Sequence, residues 1–301
     1  EPGLKAKRLF PARRYARPLP GITDVHVHLE PYKNLKPAVL ETMRREMKDF
    51  DALVKKMEDP RALLDHLDAV GVERACLINY AAPEVMGLGL DVNGFVSKYA
   101  AEDPKRLIAF GGVHPRLTKD PAGDVERLAS QLEMRGLKIH PPHQLFAPSA
   151  YVDGKMPNLW LIYRTAEKLG LPVMVHTGTS IFPGARSKFG DPLALEDVAT
   201  DFPDLTILMA HGGRPFWCET AFYLARRHAN VYLDISSIPP QRLLQWFPQI
   251  EKVADKVLFG SDWPGPGIPG IKEEIEAVRA LPLSDGFKEK LFVKNARKVF
   301  R

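Results

Sequence analysis

Ile22-Thr23-Asp24-Val25-His26-Val27-His28 is the stretch on which the fold of this chain turns. It is rich in β-branched residues and reads as a short buried strand near the N-terminus, with two histidines at its C-terminal end. Residues two apart on a strand share a face, so both imidazoles aim at one point while Val25 and Val27 face the other way. A strand buried on both faces is normally apolar throughout. Paired histidines there need a compensating partner, and a metal ion is the simplest one. Asp24 falls on the histidine face one layer lower, where it reads as a hydrogen-bonding support and not as a ligand.

Strand-like and helix-like segments alternate from there to the end of the chain. Further strands are read at 74–79, 107–113, 136–140, 172–176, 205–210, 231–235 and 257–261. Apart from the first interval, successive starts lie 26 to 36 residues apart, the length of one strand-helix unit. Leu159, Ile162, Tyr163, Ala166 and Leu169 make a helical stripe that Gly170 ends. Asp191-Pro192 opens another helix ahead of Leu195, Val198, Ala199 and Phe202. Eight strands with intervening helices predict an α/β fold, a (β/α)8 TIM barrel formed as a single domain over residues 21–301. A doubly wound sheet fits less well, because no glycine-rich phosphate turn follows any strand. The long first interval holds a charged helical insertion, about Pro37–Met57, expected over the barrel mouth as a lid or homo-oligomer contact without chemistry of its own.

Composition narrows the class further. Apolar residues at 45% and charged residues at 26% suit a globular domain and set aside disordered and membrane-embedded chains. No apolar run approaches the ~18 residues of a membrane span, and no signal-peptide pattern is present, so a cytoplasmic protein without a membrane partner is expected. Cys76 lies in an apolar strand and reads as core, and Cys218 joins no spaced motif. The net charge of +5 arises in residues 1–20, where six basic residues oppose Glu1 among four prolines. That segment reads as a basic, proline-rich arm outside the domain. No aromatic-basic module accompanies it, so no nucleic-acid partner is expected.

Barrel enzymes build their sites at the C-terminal ends of the strands. There the first strand ends in His26 and His28, the fifth in His176, the sixth in His211 and the eighth in Asp262, each closing an apolar run. Imidazoles with one carboxylate suit Zn²⁺, with Mn²⁺ or Fe²⁺ as alternatives. His66 and His228 fall on predicted helices and read as ordinary structural histidines. His211-Gly212-Gly213-Arg214 reads as a tight strand-to-helix turn whose N–H groups could also hold an anionic oxygen.

Taken together, Asp24-Val25-His26-Val27-His28, His176, His211-Gly212-Gly213 and Gly260-Ser261-Asp262-Trp263-Pro264 resemble the amidohydrolase superfamily. The closer resemblance is to its amidohydrolase-related branch, which includes aminocarboxymuconate-semialdehyde decarboxylase. It covers roughly residues 21–301, including the closing Asn295-Ala296-Arg297 helix. The resemblance implies one divalent metal held by His26, His28, His176 and Asp262, with His211 as acid/base or polarising group. Asp262 could ligate the metal, accept the water's proton, or do both in turn. Lys138 and His140 share a face of the fourth strand. Other amidohydrolases carry a carboxylated lysine on that strand bridging two metals. The branch resembled here implies instead that Lys138 pairs with a substrate carboxylate, and His140 is read as a substrate contact beside it.

Arg116, Arg186 and Arg214 lie in loops on the catalytic side and suggest an anionic small-molecule substrate. Phe146, Phe182, Phe216, Trp217 and Trp263 could line an apolar pocket or pack its rim. Arg116, Arg214 and Trp263 are the substrate contacts expected from these loops. The predicted activity is metal-dependent hydrolysis of a small carboxylated amide, lactone or ester through a metal-activated water. Its rival is metal-dependent, non-oxidative decarboxylation of an aromatic or dienoic carboxylate, which would use the same residues.

Overall fold

The computed structural model describes residues 21–300, so the arm expected over residues 1–20 lies outside the described residues. Eight parallel strands follow one another in chain order: β1 Thr23–His28, β2 Arg74–Ile78, β3 Leu107–Gly112, β4 Gly136–Ile139, β5 Val173–His176, β6 Ile207–Ala210, β7 Val231–Asp234 and β8 Val257–Leu258. Closure between the last strand and the first comes from Val25 N–H to the Phe259 carbonyl (2.9 Å) and His28 N–H to the Trp263 carbonyl (2.8 Å). This is the expected barrel.

Alternate strand residues point inward. Cys76, Ile108, Phe110, Met174, Leu208 and Leu258 form one buried interior cluster, while Leu77, Ile139, Val175, Met209 and Leu233 pack outward against the helices. The inward residues of β4 are Gly136 and Lys138. A Cβ at Gly136 would fall 2.5 Å from the Phe110 ring, so the glycine makes room for that ring. Ala296 and Phe300 from the C-terminal helix Asn295–Val299 join the same cluster. Asn295 pins that helix by donating to the carbonyls of Ala254 (2.7 Å) and Val257 (2.8 Å).

Strand β1 departs from simple alternation. Its pairing runs Thr23–Arg74 and Asp24–Ala75, then resumes at Val27–Leu77 and His28–Ile78. Val25 and His26 therefore stand opposite Cys76 alone, which is a β-bulge. The cause is Asp24, whose Oδ1 accepts the N–H of His26 (3.0 Å) and of Ser261 (3.0 Å). Val25 consequently joins the interior cluster while Val27 packs outward, which corrects the expectation that the two share a face.

The insertion is two helices rather than one, Pro37–Glu46 and Phe50–Glu58, broken where Asp49 adopts φ 51°. Lys36 N–H to the Met86 carbonyl (3.0 Å) ties its start to the loop after β2. After Asp191 the chain first makes a 3-10 turn, and the α-helix runs over Leu195–Asp201. Among the described residues no helix is long and apolar enough to cross a membrane.

Gly136→Ala should overpack the interior and cost about 1–3 kcal/mol, read as a lower urea midpoint at unchanged slope. Pairing it with Phe110→Leu should cost less than the sum of the two single changes, because both act on one contact.

Candidate metal centre

The barrel's C-terminal rim gathers the chemistry-bearing residues. His28 and His176 end β1 and β5, His26 stands two residues before the end of β1, His211 follows β6 directly, and Asp262 lies in the segment after β8. His211 and Asp262 both adopt left-handed backbone conformations, φ 66° and 68°, which turn their side chains back over the rim. Gly212 and Gly213 continue that left-handed path at φ 52° and 72°, confirming the tight turn read there.

Oδ1 of Asp262 is the point on which the imidazoles converge. It lies 3.2 Å from Nε2 of His28, 3.3 Å from Nε2 of His26 and 4.0 Å from Nε2 of His211. None of these approaches has hydrogen-bond geometry, so among the described residues a buried carboxylate oxygen is left without a hydrogen-bond donor. The other ring nitrogens are all anchored. Nδ1 of His26 meets Asp234 Oδ2 at 2.7 Å, Nδ1 of His28 meets Glu30 Oε1 at 2.7 Å, and Nδ1 of His211 lies 3.1 Å from the Ser236 carbonyl. In the neutral form of each ring, an acceptor at Nδ1 places the proton there and the lone pair on Nε2, the arrangement that carboxylate-supported metal ligands use.

The donor set therefore fits a divalent cation. Ligand atoms of His26, His211 and Asp262 lie within 4.8 Å of one another, and His28 reaches the same oxygen. His176 stands beside them, its ring centroid 4.6 Å from that of His211, with Nε2 3.3 Å from the Thr179 carbonyl. A Cβ at Gly260 would lie 2.5 Å from Asp234 Oδ1 and 2.8 Å from Cβ of His26, so that pair fills the space a side chain would take.

Charge follows from burial and neighbours. Burial, then the field of Lys138, holds His26 and His176 well below the usual histidine range; burial and Arg214 do the same to His211. Burial also works against charge on His28, but Glu30 and Asp262 outweigh it and raise its pKa to about 9. Burial opposes the Asp262 carboxylate too, yet His28, His26 and Arg214 hold it well below the usual carboxylate range. Lys138 is fully buried, with Nζ 3.4 Å from Nε2 of His26, and burial lowers its pKa to about 8. It sits beside the cluster and does not line the cavity wall.

An open cavity lies over the cluster, lined by His28, His176, His211 and Asp262 among others. Met43 of the insertion reaches it, so that segment shapes the site. Of the expected substrate contacts, His140 and Arg214 line the cavity. His140 is stacked between His143 (3.6 Å) and His176 (3.8 Å). Arg214 donates to Ser237 through Nε (2.8 Å) and Nη2 (2.7 Å) and to the Thr179 carbonyl through Nη1 (3.2 Å). Arg116 is not brought to the wall: its guanidinium donates to the carbonyls of Gln144 (2.7 Å) and Leu145 (2.9 Å). Trp263 faces away too, packing on His66 at 4.7 Å beneath Lys56. Phe182 lines the cavity, whereas Phe216 is 74% exposed.

The amidohydrolase family model matches residues 23–301, nearly the whole described barrel. This chain belongs to the amidohydrolase family. A comparison with curated proteins finds no match. Among solved structures, an uncharacterized TIM-barrel protein from Bordetella bronchiseptica is similar at 21% identity over 92% of this chain and 97% of the other, with TM-score 0.70. A dihydroxybenzoic acid decarboxylase from Polaromonas sp. JS666, with bound manganese and 2-nitroresorcinol, shares 19% identity over 93% and 96%, TM-score 0.68. A probable 2-pyrone-4,6-dicarboxylic acid hydrolase from Acinetobacter baumannii, with citric acid bound, shares 16% over 93% and 99%, TM-score 0.68. At these identities the likeness is one of fold.

Sequence reading missed several residues of this amidohydrolase's site. Asp234 closes the apolar run Val-Tyr-Leu-Asp, the same signal that found the others, and Glu30 follows His28 by two. Tyr80, His143, Ser180 and Ser236 gave no periodic signal and are joined to the site only by the fold.

Asp234→Asn should weaken divalent-metal binding about 10–100-fold with the fold intact, measured by metal titration alongside circular dichroism. A metal needs neutral His28, so below about pH 9 uptake by metal-free protein must release its proton. Apparent affinity should then fall as pH falls from 9 to 6; a pH-independent affinity would remove His28 from the donor set.

Proposed function

We propose that this chain is a metal-dependent hydrolase of a small carboxylated amide, lactone or ester, with His26, His28, His176 and Asp262 holding one divalent ion and His211 moving the proton. The observation that supports it most directly is the unpartnered Oδ1 of Asp262, faced by Nε2 atoms whose rings are anchored from behind. When bound, the ion supplies electrophilic polarisation of a carbonyl and acidifies a water. Zinc suits the nitrogen-rich set best, with manganese and iron as the alternatives.

The remaining work falls to the chain. Nδ1–H of His211 is committed to the Ser236 carbonyl, which leaves Nε2 as the acceptor on the cavity side. That nitrogen takes a proton from the attacking water and returns it to the leaving group. Arg214 keeps donors beyond those given to Ser237 and Thr179, and with its half-buried charge selects an anionic substrate. Lys138 contributes positive charge from beneath the cluster. Non-oxidative decarboxylation of an aromatic or dienoic carboxylate is the second reading, favoured by the flat wall of stacked imidazoles that a planar substrate would match.

Elemental analysis should find about one equivalent of metal per chain; two would support a carboxylated Lys138 bridging a pair. His211→Ala should keep the metal and lose turnover by about 10²–10⁴-fold, whereas His176→Ala should lose the metal. Metal loss in His211→Ala would move that residue into the donor set. Turnover of lactones, amides and aromatic carboxylates with simultaneous carbon dioxide detection separates the readings: substrate consumed with carbon dioxide release overturns the hydrolase assignment.

A further inference from the structure

The cavity has a second polar wall that the proton chemistry above does not use. Tyr80, just past β2, is buried, and among the described residues its hydroxyl has one hydrogen-bond contact, Nδ1 of His143 at 3.0 Å. Nε2 of His143 lies 2.6 Å from Oγ of Ser180, in the loop after β5. The Phe182 N–H also reaches that oxygen, at 3.3 Å. Ser180, His143 and Tyr80 all line the cavity.

Satisfying each atom fixes the direction of this chain. The Tyr80 proton has only Nδ1 of His143 to go to, and burial keeps the phenol protonated by raising its pKa well above the ordinary value. Nδ1 is therefore an acceptor, so the neutral imidazole carries its proton on Nε2 and donates it to Ser180. Burial lowers the pKa of His143 to about 3, in keeping with a neutral ring. Oγ of Ser180 then accepts from His143 and from Phe182 N–H, using both lone pairs. Among the described residues its own O–H has no acceptor, and it is left as a donor at the cavity surface.

We propose that Ser180, oriented by His143 and Tyr80, is a specificity-determining donor that binds a second carboxylate of the substrate, so that this enzyme selects dicarboxylates over monocarboxylates. Arg214 lies against the same loop, through its bond to the Thr179 carbonyl, and adds charge on that side. The proposal rests on the reading of this cavity as the substrate site, and its test uses binding alone, so a failed turnover assay leaves it standing.

The test measures equilibrium binding of benzoate, phthalate, isophthalate and terephthalate to the protein as purified. At least one dicarboxylate should bind more tightly than benzoate. Ser180→Ala should weaken that dicarboxylate about tenfold or more, the loss expected for a hydrogen bond to a charged acceptor, and change benzoate less than twofold. Tyr80→Phe frees the imidazole to accept from Ser180, and should lower the same preference while Ser180→Thr retains it. No dicarboxylate preference in the unmodified protein, or equal loss for benzoate and dicarboxylate in Ser180→Ala, would overturn the proposal.

Discussion

One carboxylate oxygen organises the rim of this barrel. Oδ1 of Asp24 takes the N–H of His26 on the first strand and of Ser261 after the last. Those two bonds draw the closing edges together and create the bulge that redirects β1. They also fix the segment carrying Asp262, whose N–H in turn bonds the His26 carbonyl at 2.9 Å. The rim side chains of β1 and of the segment after β8 are thus held by backbone that Asp24 stitches, without Asp24 touching the cavity. Among the described residues its Oδ2 has no hydrogen-bond partner, and burial raises its pKa to about 7. The stitch is maintained against a desolvation cost.

The His26–Asp234 contact carries the second constraint. Asp234 is fully buried and burial raises its pKa to about 7, so the carboxylate depends on its neighbours, Ser236 above all, to stay ionised. Ser236 N–H (2.9 Å) and Oγ (2.9 Å) donate to it, while the Ser236 carbonyl faces His211. One short segment after β7 therefore fixes the tautomers of two imidazoles on different strands. Gly260 is part of this arrangement because any side chain there would displace the pair.

Much of this was legible in the sequence because its signals were periodic. Strand spacing and the polar residues closing apolar runs located β1, β5, β6 and β8 and their rim residues. The β1 bulge was not legible, since a bulge depends on which amides a side chain captures across the barrel and leaves no mark on local alternation. Arg116 and Trp263 were drawn toward the cavity by loop position alone, yet Arg116 is committed to loop carbonyls and Trp263 to His66. The chain Tyr80–His143–Ser180 joins three separate loops, and only the closed barrel brings those residues together.

His211 and Asp262 share a property unrelated to their chemistry: both hold a backbone conformation that glycine adopts with least strain. Each non-glycine residue held there costs of order 1–3 kcal/mol, which the surrounding barrel must supply. Replacement by glycine at either position relieves that strain while removing an imidazole or a carboxylate from the rim. Stability and the proposed chemistry therefore make opposite demands at these two positions.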